Sequence, residues 1–381
     1  MANLSLTRLE PCANDNTGQE RCSVPGVGHE GTFFGAAADQ VGRMRAIRLE
    51  QVGDAAIRTV AEPHPGLGEV TVEVVRAGIC GSDRHLIDGE YPAAPPVTLG
   101  HEFEGTVIAA GPETTLAVGT RVAIDPNISC MKCRYCRIGL VSHCNFLHAI
   151  GVDRDGGLAH FAVVPELQAY ELPPDLPIGY GALCEPLACC LRASDHAAIG
   201  PGDRVAVLGG GVVGQLLAQL ARLAGGNVVL ATRQSTKRAL AEALGASMTL
   251  NPDEDDVVEA ISGRAGFAPG GVDVAFEAAG VAATFQQAIA TVRHGGKVII
   301  VGAAPSSMTL PISPFDVFAR EIQIIGSHLN PLTHGRAVDL AASGALELSA
   351  LITRTVDLEE ALGALTEGPL PGDIKVHVVP R

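Results

Sequence analysis

Cys130, Cys133, Cys136 and Cys144 follow one another as C-x2-C-x2-C-x7-C, a spacing that lets one short lobe wrap four thiolates around a tetrahedral zinc. An iron–sulfur cluster or a set of idle thiols are the rival readings of such a run. A zinc closed by four sulfurs has no position left for substrate, so its part is structural and any chemistry must come from elsewhere. A second set of candidates is dispersed. Cys80 lies in Gly78-Ile79-Cys80-Gly81-Ser82-Asp83-Arg84-His85, His101-Glu102 follow Gly100, and Glu185-Pro186 comes far downstream. Thiolate, imidazole and carboxylate from three segments are able to hold a zinc with an open position. Taken singly, each reads more simply as a core thiol, a satisfied histidine or a helix start.

Gly209, Gly211 and Gly214 form G-x-G-x-x-G around Val212 and Val213, directly after the apolar run Val205-Ala206-Val207-Leu208. In that setting the first glycine permits a tight turn, the second lets backbone approach a pyrophosphate, and the third lets helix pack on strand. The phosphates are expected at the positive end of the helix that follows. Where the second strand ends, a dinucleotide-binding unit normally presents an acid to the ribose hydroxyls. This chain reads Ala231-Thr232-Arg233-Gln234 and then Lys237-Arg238. A guanidinium grips a 2′-phosphate that a carboxylate would repel, so Thr232, Arg233 and Arg238 point to NADP over NAD. The alternative is an ordinary solvated basic helix start.

The elements that must position these groups fall into two rhythms. From Met44 to about Glu185, short β-rich runs (69–75, 104–109, 121–124, 160–164) alternate with Gly/Pro turns, as in a small β-barrel-like domain. Beyond Asp203 the order becomes strand, glycine turn, amphipathic helix: 204–208, 212–223, 227–230 and 237–244, with later strands at 272–277, 297–301 and 322–325. Strands alternating with helices imply a parallel sheet covered on both faces, an α/β domain. A strand at 375–379 is expected to return to the first domain. Residues 1–43 show no sustained period and read as a poorly ordered extension, with Met44 a candidate native start.

Length supports two domains, since 381 residues exceed what one compact core usually holds. A formal charge of −15 without a basic cluster argues against nucleic acid as a partner. No run of about 18 apolar residues is present to span a bilayer, so a soluble chain is expected. Ten cysteines, several grouped as metal ligands must be, suit a reducing cytosol better than a disulfide scaffold.

Taken together, the G-I-C-G-S-D-x-H segment at 78–85, Gly100-His101-Glu102, the four-cysteine lobe, Glu185-Pro186 and the glycine motif resemble the zinc-containing medium-chain dehydrogenase/reductase family. Within it they are most similar to the branch of sorbitol, threonine and butanediol dehydrogenases, and the resemblance covers Met44 to Arg381. It implies a GroES-like β-barrel catalytic domain at 44–185, a doubly wound Rossmann domain for NAD(P) at 186–328 and a return to the catalytic domain at 329–381. It also implies two zinc ions per chain. One is structural, on Cys130, Cys133, Cys136 and Cys144; the other is catalytic, on Cys80, His101 and a carboxylate. Glu102 and Glu185 are both candidates for that carboxylate. Cys184 is a rival ligand, because alcohol dehydrogenases of the related branch use cysteine there, while Cys189 and Cys190 read as helix-core thiols.

By the same resemblance Ser82 and His85 relay the released proton. The implied reaction is hydride transfer between a secondary alcohol, a polyol or sugar derivative, and the nicotinamide, in a cytoplasmic homodimer or homotetramer. A zinc-free quinone or enoyl reductase on the same fold, and a non-catalytic nucleotide-binding protein, are the competing readings.

Overall fold

The structure is a computed structural model that describes residues 42–381. The expected extension lies outside these residues apart from its last two, and Arg43 already opens the first strand. Strands β1 (Arg43–Gln51), β2 (Asp54–Ala61), β3 (Glu69–Gly78), β4 (Val97–Thr98), β5 (Glu102–Ala110) and β6 (Arg121–Ile124) come first. After them run β7 (Asn127–Ile128), β8 (His148–Ala149), β9 (Phe161–Pro165) and β10 (Ala169–Glu171). The chain later adds β17 (Ile352–Val356) and β18 (Lys375–Val378) to the same sheet, in the order β10-β6-β5-β3-β18-β17, with β9 also on β3. A smaller sheet, β2-β1-β4, packs against it. Alternate residues of β3 and β5 point inward, and Val70, Val72, Val74, Phe103 and Val107 form the barrel core with Ile47, Leu49 and Leu158.

The second layer system is the expected parallel sheet. Its strands are β11 (Arg204–Leu208), β12 (Asn227–Ala231), β13 (Met248–Leu250), β14 (Val272–Glu277), β15 (Val292–Ile300) and β16 (Gln323–Gly326), in the order β13-β12-β11-β14-β15-β16. All pair in parallel, Val205 beside Val228 on one side and Val274 on the other. This is the 3-2-1-4-5-6 order in which a ligand crevice opens at the carboxyl ends of the two central strands. Both faces are covered by apolar clusters, as a parallel sheet requires.

In chain order the helices are α1 (Gly81–Ile87), α2 (Arg134–Arg137), α3 (Cys184–Ala197), α4 (Val212–Leu223), α5 (Ser235–Ala243), α6 (Val257–Ser262), α7 (Ala282–Thr291), α8 (Pro314–Arg320), α9 (His334–Ala342) and α10 (Leu358–Glu367). α5 starts two residues earlier than the pattern suggested, because Ser235 opens its first turn.

Two buried connections join the layer systems. Glu104 on β5 accepts the Gly181 amide at 2.8 Å, which fixes the entry into α3. Asn127 Nδ2 donates to Asn330 Oδ1 at 2.6 Å, and Asn330 Nδ2 donates to Asp125 Oδ1 at 3.2 Å. Among the described residues no helix is long and apolar enough to cross a membrane.

Candidate active site and metal centres

Cys80 ends the extended chain after β3 and occupies the N-cap of α1. Its backbone amide donates to Asp83 Oδ2 at 3.0 Å, so the aspartate three residues on closes the first turn and holds the cysteine in place. The Ser82 hydroxyl lies 3.1 Å from Cys80 Sγ and 3.2 Å from His101 Nε2. On the other side of that ring, Nδ1 is 3.1 Å from Asp83 Oδ1, at ion-pair distance though off the line of a full hydrogen bond. Burial opposes charge on His101, but the adjacent Asp83 carboxylate outweighs it and draws the imidazole's pKa well up. Glu102, the first residue of β5, completes the group: one ligand atom each from Cys80, His101 and Glu102 lie within 4.8 Å of one another.

The chemistry of this donor set suits a zinc that keeps a position open. Glu102 Oε1 is buried with no hydrogen-bond partner among the described residues, an arrangement that is costly unless a cation faces it.

Glu185, on the first turn of α3, is buried next to the cluster but is not one of its three donors. Burial raises its carboxyl to about 7, with the Glu102 charge adding to the rise and His101 opposing it. Cys184 stands apart. Its thiol points to the Tyr180 carbonyl at 3.4 Å, and burial pushes its pKa far up, so as a thiolate ligand it is disfavoured. Cys189 reaches Glu185 Oε1 at 3.5 Å and Cys190 reaches the Val213 carbonyl at 3.6 Å.

Ser82 and His85 share α1, but the structure joins neither to the other. Ser82 faces Cys80 and His101, whereas His85 Nδ1 pairs with Glu90 and its ring leans on Tyr91 at 5.1 Å between centroids. Three participants escaped the motif reading. Asp83 was in the quoted segment without a role, and Glu90 sits in an unremarkable loop. The third is Lys375 on β18, whose Nζ lies 2.6 Å from Glu102 Oε2 with both side chains fully buried.

The four lobe cysteines converge around α2, with one sulfur of each within 4.8 Å of the others. Cys133 Sγ is 3.6 Å from Cys136 Sγ and 3.9 Å from Cys144 Sγ. Those separations match the edge of about 3.8 Å that a tetrahedron of Zn–S bonds near 2.3 Å requires. Backbone N–H groups of Cys136 and Asn145 pull Cys133 down to about 6, whereas burial and then the neighbouring thiols push Cys136 up to about 12, so the convergence of the sulfurs and not the acidity of any one thiol marks the centre.

At the nucleotide motif, Gly209 has φ +126°, and a Cβ there would meet the Ala278 backbone at 2.8 Å. A Cβ on Gly214 would come within 1.8 Å of the Gly209 carbonyl, so helix α4 packs onto the turn only with glycine. Gly211, with Val212 and Val213 opening α4, has nothing within 4 Å of its missing Cβ, the open cradle a pyrophosphate would fill. Beyond β12, Arg238 is engaged: its guanidinium donates to the carbonyls of Thr232 at 2.8 Å and Arg233 at 2.7 Å. The exposed Arg233 side chain makes no such contact with a described residue.

Residues 66–174 match the family model of the alcohol dehydrogenase GroES-like domain, and residues 212–343 match that of the zinc-binding dehydrogenases. D-arabinitol dehydrogenase 1 of Uromyces fabae is 30% identical over 89% of this chain and 98% of its own length. The chain belongs to the zinc-binding alcohol dehydrogenase family. Sorbitol dehydrogenase of Bacillus subtilis is similar to this dehydrogenase at 30% identity, covering 84% of the chain and 92% of the relative. An NADP-bound structure described as a zinc-binding dehydrogenase from Sinorhizobium meliloti 1021 is 49% identical, with a TM-score of 0.87 over 89% of this chain and all of that one. This zinc alcohol dehydrogenase therefore carries a structural four-cysteine centre and a Cys/His/Glu catalytic centre, and it uses NAD(P).

Proposed function

We propose that this dehydrogenase interconverts a secondary alcohol, specifically a polyol or sugar derivative, with its ketone, using NADP in preference to NAD and holding two zinc ions per chain. The observation that carries the reading is the Cys80–His101–Glu102 donor set, with Glu185 as a second buried carboxylate beside it. Relatives that act on D-arabinitol and sorbitol support the polyol class.

Cys80, His101 and Glu102 would hold the catalytic zinc, which supplies Lewis acidity toward the substrate oxygen when bound. Ser82 takes the proton of the reacting hydroxyl, a role supported by its Oγ lying against both Cys80 and His101. His85 carries the proton outward and Glu90 orients its ring through Nδ1; with no direct Ser82–His85 contact, a hydroxyl of substrate, coenzyme or water spans the gap. Gly209, Gly211 and Gly214 seat the pyrophosphate on α4, and Arg233 offers a guanidinium to a 2′-phosphate. NADP in the Sinorhizobium structure agrees with this preference.

The subunits pair into a homo-oligomer through β16, the last strand of its sheet among the described residues, which follows α8 with Phe315 and Phe318 75% and 77% exposed. The test of function is a panel of alcohols, polyols and sugar acids assayed with both coenzymes by nicotinamide absorbance. Turnover confined to primary alcohols, or absent with every member, would overturn the substrate class.

A further inference from the structure

Lys375 lies on β18, which docks antiparallel to β3 so that His377 stands opposite Gly78. In the next register, Gly78 stands opposite Glu102. A Cβ at Gly78 would come within 2.2 Å of Glu102 Oε2, so the glycine leaves the space into which that oxygen turns. The Lys375 ammonium, with 2% of the residue exposed, donates to Oε2 at 2.6 Å and to the Ile79 carbonyl at 3.0 Å. Ile79 precedes Cys80, so one buried cation ties together the backbone at one metal-binding residue and the side chain of another. The other Glu102 oxygen, Oε1, is buried and unpartnered among the described residues.

An isolated ammonium would not be buried at this position, and an ion pair costs as much in desolvation as it returns unless its geometry is specific. Strands β18 and β5 flank β3 and pair with it on either side, which sets the two groups in register across it.

We propose that Lys375 is a positioning residue that engages Oε2, restricts Glu102 to a single oxygen, Oε1, toward the catalytic metal, and so keeps the remaining coordination position for substrate. This rests on the Cys80–His101–Glu102 site reading. Without the ammonium, Glu102 has two free oxygens and is able to chelate, which tightens metal binding while closing the substrate's place.

The test uses the full-length protein with cobalt(II) at the catalytic site and zinc kept in the four-cysteine lobe. In the unmodified protein a sulfur-to-cobalt absorption band should report cobalt on Cys80; its absence would overturn both the site reading and the role of Lys375. In Lys375→Met the visible cobalt bands should weaken as the coordination number rises, and kcat should fall about tenfold or more. Lys375→Arg should keep the parent spectrum. A folded Lys375→Met protein with unchanged bands and kcat, and the sulfur band still present, would overturn the role of Lys375 alone. If Lys375→Met folds poorly, the comparison of Glu102→Gln with Glu102→Gln/Lys375→Met decides. Identical cobalt spectra for that pair support action through Glu102, and a spectrum that still changes overturns it.

Discussion

Asp83 Oδ1 lies 3.1 Å from His101 Nδ1, and the aspartate is completely buried. Its other oxygen takes the Cys80 amide, so one carboxylate orients two metal-binding residues that come from different loops. Asp83→Asn keeps the shape and removes the charge that sets the ring. Affinity for the catalytic metal should drop about 10- to 100-fold with the four-cysteine zinc retained, as read by chelator competition. Unaltered affinity would leave Asp83 a helix cap and nothing more.

The two metal centres should fail differently. Cys133→Ser removes a lobe ligand, so one zinc should be lost and Tm should drop by about 5 °C or more. Cys80→Ser should abolish turnover while Tm and the lobe zinc persist. Metal analysis of both variants beside the parent protein checks this, and a parent holding one zinc would contradict the two-centre assignment.

Glu185→Gln and Cys184→Ser separate two neighbours on the same helix turn. The first replaces a buried carboxyl beside the metal site, and kcat/KM should fall about 10- to 100-fold. The second keeps a donor to the Tyr180 carbonyl, and activity should remain within about twofold. The reverse pattern would make Cys184 the ligand.

Arg233 is exposed at the end of β12, and Arg238 is occupied by backbone carbonyls. On the proposed NADP preference, selectivity for a 2′-phosphate would rest on Arg233. Charge-assisted hydrogen bonds worth about 1.5 to 3 kcal/mol each should give at least a tenfold preference for NADP in kcat/KM. Arg233→Asp should invert it by removing the partner and adding repulsion. A parent enzyme that prefers NAD, or an unchanged ratio in Arg233→Ala, would refute the assignment.

His334, at the start of α9, is held neutral by burial, its pKa pushed down to about 3. The unfolded chain binds a proton there near pH 6.5. Between those values the unfolded state carries the extra proton, so the stability is full above about pH 6.5 and is lost as pH falls toward 3, at up to about 1.4 kcal/mol per unit. His377 adds to the same slope, its pKa lowered to about 3 by burial and then by Lys375 and Arg76. His334→Gln should flatten the fall in urea midpoint between pH 6.5 and 4; a slope equal to the parent's would show that His334 does not titrate in this way.

What sequence alone determined is local. Cys130, Cys133, Cys136 and Cys144 fall within fifteen consecutive residues, so one short lobe is able to bring their sulfurs to a single metal, and Gly209 to Gly214 form one strand-to-helix turn. Short β-rich runs between Gly/Pro turns, and then the rhythm of strand, glycine turn and amphipathic helix, likewise betrayed the β-barrel and the parallel sheet. Tertiary structure decided which side chains meet across long stretches of chain. Glu102 and Lys375 are 273 residues apart, and nothing near Lys375 marks it as other than a strand residue. Glu102 and Glu185 were equivalent as letters; strand register brought the first against Cys80 and His101, while α3 left the second one step away. The His85–Glu90 pair depended on how a loop folds back after α1. Such contacts are set by register, burial and loop path, which arise only once the barrel core has packed.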